Sequence, residues 1–117
     1  MTIADEDLPQ ASDAVSCGPV WVSPNEYCEV RVRGRPVRLS VGSIRVLACL
    51  LRVQGRIMTR DELWHEATGR RGMLSASRAV DVRILRIRRA LGSLGRYLLT
   101  VPTRGYRIDA AGLARAR

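Results

Sequence analysis

Five arginines crowd the stretch from Ser77 to Leu91, at 78, 83, 86, 88 and 89. Their type and spacing offer a definite chemistry: a guanidinium fork presents parallel N–H donors that match a phosphate, or the O6 and N7 acceptors of guanine. Groups able to act as nucleophiles, bases or metal ligands are sparse by comparison. His65 is the single histidine, and Cys17, Cys28 and Cys49 form no CxxC pair. With no Ser, Cys or metal constellation in a suitable spacing, the sequence assigns no catalytic residue, no metal and no cofactor, and predicts a protein that is not an enzyme. Cys49 lies in an apolar run and is expected to pack rather than to serve as a redox handle.

A helix must set out those arginines. Advancing about 100° per residue from Arg78, Val80, Ile84, Ile87 and Leu91 gather on one face within about 60° and call for a core. Nearly opposite lie Arg78, Val82, Arg86 and Arg89 with Ala79, and Arg83 flanks them. Such a face suits the DNA major groove: arginines reach guanine edges, small residues permit close approach, and Val82 can touch a thymine methyl. The same pattern also describes an ordinary amphipathic helix with a solvated charged side. Asp81 and Arg88 share a third face, where the carboxylate is expected to pair with Arg78 or Arg88 and orient them.

The charge distribution favours the polyanion reading. The chain of 117 residues carries a net +9, but residues 1 to 30 hold six acids and no base, whereas residues 31 to 117 hold all 20 bases and five acids, a charge near +15. All of the bases are arginine. A balance of this kind gains affinity by releasing counterions from phosphates. The longest apolar run, VLACLL at 46 to 51, is far short of a membrane span, and the acidic N-terminus has no signal-peptide core. The expectation is a cytoplasmic, nucleoid-associated protein with no membrane partner.

Around the arginine helix the pattern reads as one domain. Residues 1 to 18 are acidic and poor in bulky apolar groups and are read as a flexible tail. From Val20 to Leu39, short runs of alternating Val and polar residues, broken at Pro24-Asn25 and Gly34-Arg35-Pro36, predict a small antiparallel sheet. Ser40 caps a helix to about Gln54, with Ile44, Leu47, Ala48 and Leu51 inward and Gly55 ending it. TRDEL at 59 to 63 supplies a capping box from Thr59 and Glu62 and opens a second helix that ends near Gly69. The connector GRRGMLSAS leads to a third helix, from Ser75 or Ser77 to Leu91, stopped by Gly92. YLLTVPTRGYRID then reads as a hairpin turning at Pro102 to Gly105. Strands, three helices and a hairpin make a helix-turn-helix core flanked by sheets.

TRDEL, RAVDVRILRIRRALG and YLLTVPTRGYRI together resemble the effector domain of the OmpR/PhoB class of response regulators, over about residues 19 to 109. The resemblance implies an α+β winged helix-turn-helix with an N-terminal antiparallel sheet, three helices and a C-terminal β-hairpin wing, leaving 110 to 117 as a short tail. It implies a sequence-specific transcriptional regulator of double-stranded DNA, with Ser77 to Leu91 as recognition helix. Arg78, Val82, Arg83, Arg86, Arg88 and Arg89, with Thr100 and Arg104 of the wing, are the DNA-binding candidates. Arg70 and Arg71 mark a connector for phosphate or RNA polymerase contact, and a regulator of this kind is expected as a homodimer on repeated half-sites about one helical turn apart.

The chain departs from the family pattern in places. Where the family wing reads TVRGxGYR, TVPTRGYR puts Pro102 at the usual arginine and brings Arg104 two positions later. The usual acidic residue early in the first helix is replaced around Gly42-Ser43, and Thr68 stands where a tryptophan is expected, with Trp64 one turn earlier. About 18 residues precede the sheet, too few for a phosphoacceptor module, so phosphorylation-driven dimerisation is not implied. A second reading is a protein-interaction module that presents the same winged surface to an acidic partner. RNA binding ranks lower, since the chain has no Phe, two Trp and three Tyr for base stacking.

Overall fold

The computed structural model describes residues 14–24, 28–69 and 77–116. Strands β1 (Val15–Cys17), β2 (Val20–Ser23), β3 (Glu29–Val32) and β4 (Arg35–Val37) form an antiparallel meander in sequence order. Val20, Val22, Val30 and Val32 alternate inward to the core, as period-two patterning demands. Trp21 pairs with Arg31 on the outer face, where the guanidinium lies over the indole and bonds Glu29 at 2.8 Å. The sheet starts at Val15, inside the stretch read as tail, because Gly18 permits a left-handed turn (φ +54) that folds Val15–Cys17 back on β2. The β3–β4 turn falls on Arg33 and Gly34, both at positive φ, and not on Gly34-Arg35-Pro36. Pro36 instead sits in β4, an edge strand that tolerates a missing donor.

Helix α1 (Val41–Arg52) crosses the inner side of the sheet, its N-terminus capped by the Ser40 side chain, which accepts from the Ser43 amide at 3.2 Å. Beyond the expected Ile44, Leu47, Ala48 and Leu51, Val46, Cys49 and Leu50 are also buried, so α1 is the central element. It ends at Arg52, two residues early, because the left-handed exit begins on Gln54 (φ +50) before Gly55 (φ +95). Helix α2 (Arg60–Thr68) has the full Thr59/Glu62 capping box and stops on a left-handed Gly69. Helix α3 (Ser77–Leu91) buries Val80, Ile84, Ile87 and Leu91, the predicted stripe.

Gly92 breaks α3 (φ +60) without freeing the chain, which continues as a 3-10 helix over Gly92–Tyr97 with Leu94 and Gly95 buried. Strands β5 (Leu98–Val101) and β6 (Gly105–Ile108) follow, with Thr100 opposite Tyr106. The residues read as a C-terminal tail contain helix α4 (Ala110–Arg115), capped by Asp109, with Leu113 buried. It packs near β1, and the Cys17 thiol donates to the Ala110 carbonyl at 3.4 Å. The pattern of residues 110–117 shows one buried leucine in six helical positions, too short a period for sequence to distinguish from a tail.

Candidate nucleic-acid interface

The outer face of α3 is set by the burial of its inner one. Arg78, Arg86 and Arg89 are exposed together with Val82 and Leu85, and these three arginines make no ion pair with the described residues. Arg86 and Arg89 also border an open cleft of about 410 Å³, shared with Arg38, Leu39, Ser40 and Ala90 beside the start of α1. Leu85 is not among the candidates that the arginine pattern marks. The helical wheel carries the signal nonetheless, since Leu85 lies within about 40° of Arg78 and Arg89 on the side away from the stripe.

Two arginines of the predicted set are used inside the fold. Arg88 donates from Nε and Nη2 to the Leu98 carbonyl at 2.9 and 2.8 Å, and from Nη2 to Thr100 Oγ1 at 2.9 Å. Arg88 thus ties α3 to the hairpin, and the Thr100 hydroxyl is its acceptor. Arg83 turns toward α1 and α2: its guanidinium lies 5.8 Å from the Trp64 ring centroid, its Nε is buried with no partner among the described residues, and any Cβ on Gly42 would fall 2.8 Å from that atom. Gly42, which costs α1 helix propensity, thereby admits Arg83. Arg104 is exposed at the hairpin tip, where Pro102 and Thr103 (φ +63) form the turn and the Arg104 amide reaches the Val101 carbonyl at 3.0 Å. Arg70 and Arg71 lie outside the described residues.

Asp81 is structural, as expected, but its partners are not Arg78 or Arg88. It accepts from Arg60 Nε at 2.9 Å and from the Tyr106 hydroxyl, joining the start of α2, the second turn of α3 and strand β6. Arg60 and Arg88 both stand over the Tyr106 ring, at 5.2 and 5.8 Å. Burial acts to raise the Asp81 pKa, but the bonds from Tyr106 and Arg60 and the Arg60 charge outweigh it and hold the carboxyl below its ordinary value. Burial, reinforced by Asp81, pushes the Tyr106 phenol up. Backbone pairing adds to this junction: Met58 and Tyr106 exchange N–H···O bonds of 2.8 and 2.9 Å. The hairpin is therefore held to the helices at fixed pitch.

Other reactive groups stand apart. Cys49 is buried and its thiol is pushed up to about 11 by desolvation, with Glu66 contributing, so it carries no thiolate character at neutral pH. Among the described residues no cluster of His, Cys, Asp and Glu could hold a metal ion, and no helix is long and apolar enough to cross a membrane.

A three-helix core that exposes a row of arginines next to a hairpin defines a winged helix-turn-helix DNA-binding domain. Residues 34–108 match the family described as transcriptional regulatory protein, C terminal, and the chain belongs to that family, the OmpR/PhoB type. The DNA-binding domain of CpxR from E. coli has the same fold, with a TM-score of 0.71 and 24% identity over 83% of this chain and 96% of that one. The Klebsiella pneumoniae RstA DNA-binding domain, solved in complex with the RstA box, gives 0.69 and 30% over 84% and 98%. The DNA-binding domain of E. coli CadC gives 0.66 and 26% over 81% and 90%. No curated protein sequence matches the chain significantly. The family is one of sequence-specific DNA-binding transcription regulators and not of enzymes.

Proposed function

We propose that α3 enters the major groove with Arg78, Val82, Arg86 and Arg89 toward the base edges, while the β5–β6 hairpin follows the backbone and brings Arg104 to the adjacent minor groove. The observation that carries this reading is the single exposed face on which Arg78, Arg86 and Arg89 surround apolar side chains, on a helix whose opposite face is fully buried. Arg88 and Thr100 act in this reading by aiming the hairpin, since their polar atoms bond each other and the β5 backbone. Arg83 serves from the flank, where only its outer nitrogens can reach a phosphate. In the connector, Arg70 and Arg71 supply phosphate contacts, and the same segment is the surface that the family resemblance assigns to RNA polymerase. Two copies occupy repeated half-sites about one helical turn apart.

Selection from a random duplex library near physiological salt tests the proposal, followed by titration of the selected sequence against a scrambled control. The expected result is a repeated motif bound ~10³-fold or more above the control. Arg86→Ala should cost ~1–3 kcal/mol on the true site and relax preference at one base position, whereas Arg70→Ala should weaken every sequence alike and lower the salt slope by about one phosphate. Equal losses on every sequence from both variants, or no enriched motif, would sink the reading and favour a surface for an acidic protein.

A further inference from the structure

We propose that Val82 and Leu85 form a paired apolar reader for the C5 methyl groups of thymines one to two base steps apart, which makes Leu85 a specificity-determining residue. This inference rests on the placement of α3 in the major groove. Among the described residues only Val41, Val82 and Leu85 are large, apolar and exposed, and Val82 and Leu85, at 42% and 44%, lie three residues apart on the same helix face. One exposed leucine on a protein surface needs no explanation. A valine and a leucine side by side among Arg78, Arg86 and Arg89 do, because neither belongs to the core or packs against it.

The occupant follows from the surroundings. Three guanidiniums select a polyanion, and on the groove edge of duplex DNA the apolar group on offer is the thymine methyl, which no other base carries. Side chains at i and i+3 stand about 5–6 Å apart at Cβ. Bases along one strand rise about 3.4 Å per step. The pair therefore spans methyls separated by one or two steps, while the arginines on either side hold guanines or phosphates.

Replacing thymine by uracil at single positions of the selected duplex tests this, since the exchange deletes the methyl and leaves every donor and acceptor on the edge. Wild-type protein should lose about fourfold in affinity at each of two thymines per half-site, the factor expected for one buried methyl. Leu85→Ala should abolish the uracil penalty at one of them and Val82→Ala at the other, with Arg86→Ala retaining both. Both side chains are exposed, so the variants should keep wild-type circular dichroism, and the wild-type titration needs no variant. If uracil is tolerated everywhere while Arg86→Ala still relaxes base preference, the methyl reader is wrong and the groove placement stands. Penalties that persist unchanged in both apolar variants likewise overturn it. If no site can be selected, the groove placement itself falls and takes this inference with it.

Discussion

Asp81 shows how one carboxylate among arginines can organise a surface by joining three elements of the fold. It draws in Arg60 and the Tyr106 hydroxyl, and Arg88 beside it donates to the Leu98 carbonyl and Thr100 of the hairpin. Because the folded-state pKa of Asp81 is lowered, its contribution to stability is present above the unfolded value and is lost as pH falls through the folded one. The gap in urea midpoint between wild type and Asp81→Asn should accordingly be widest near pH 7 and shrink as pH drops below about 4. A constant gap over that range would mean that the carboxylate charge is not what matters. Arg88→Ala removes charge-assisted bonds to the Leu98 carbonyl and to Thr100, which places its effect on hairpin pitch. The expected outcome is weaker binding to the selected site by several-fold with base preference unchanged, read from the same library; a relaxed preference at a single base would make Arg88 a direct reader instead.

At the scale of elements, the hairpin depends on how closely its backbone meets the strand-like residues before α2. Gly105 has φ +140, and a Cβ there would lie 2.0 Å from the Met58 carbonyl oxygen, so both conformation and space demand glycine. Gly34 has φ +78 in the β3–β4 turn with open space around it. Gly105→Ala should therefore destabilise the fold by roughly 2–4 kcal/mol, and Gly34→Ala by only about 1 kcal/mol, as read by denaturant unfolding. Similar losses at both positions would show that the Met58 approach relaxes easily. The pairing of Met58 with Tyr106 was out of reach of pattern reading, because one bridge residue has no period. Helix α3 was legible for the opposite reason, as its stripe of Val80, Ile84, Ile87 and Leu91 repeats over about three turns.

The whole molecule is closed by its ends. Strand β1 and helix α4, both inside stretches read as tails, meet through Cys17, Ala110 and the close approach of Gly18 to the Leu113 carbonyl, where a Cβ would fall at 2.1 Å. Ahead of the sheet in sequence are residues 1 to 14, with Asp5, Glu6, Asp7 and Asp13, in a chain whose remaining residues carry a high positive charge. If that segment competes with DNA for the arginine face, removing residues 1 to 13 should raise affinity at low salt, and the gain should fade as salt screens it. Unchanged affinity at low salt would remove the competition idea.

Local patterns in the sequence were enough for the order of elements from β2 to β6, the buried stripe of α3, the Ser40 and Thr59 N-caps and the polyanion partner, because periodicity, capping and net charge are local or summed properties. The helical wheel set Arg78, Arg86 and Arg89 outward, but it took the packed fold to show that Arg83 and Arg88 are engaged inside the molecule. Arg83 and Arg88 have the same chemistry as Arg86 and Arg89, yet Trp64 and the open space at Gly42 draw one inward and the Leu98 carbonyl draws the other. Asp81 likewise found partners 21 and 25 residues away. Such choices depend on which backbone groups and rings converge once the helices and the hairpin pack, and no spacing along the chain encodes that convergence.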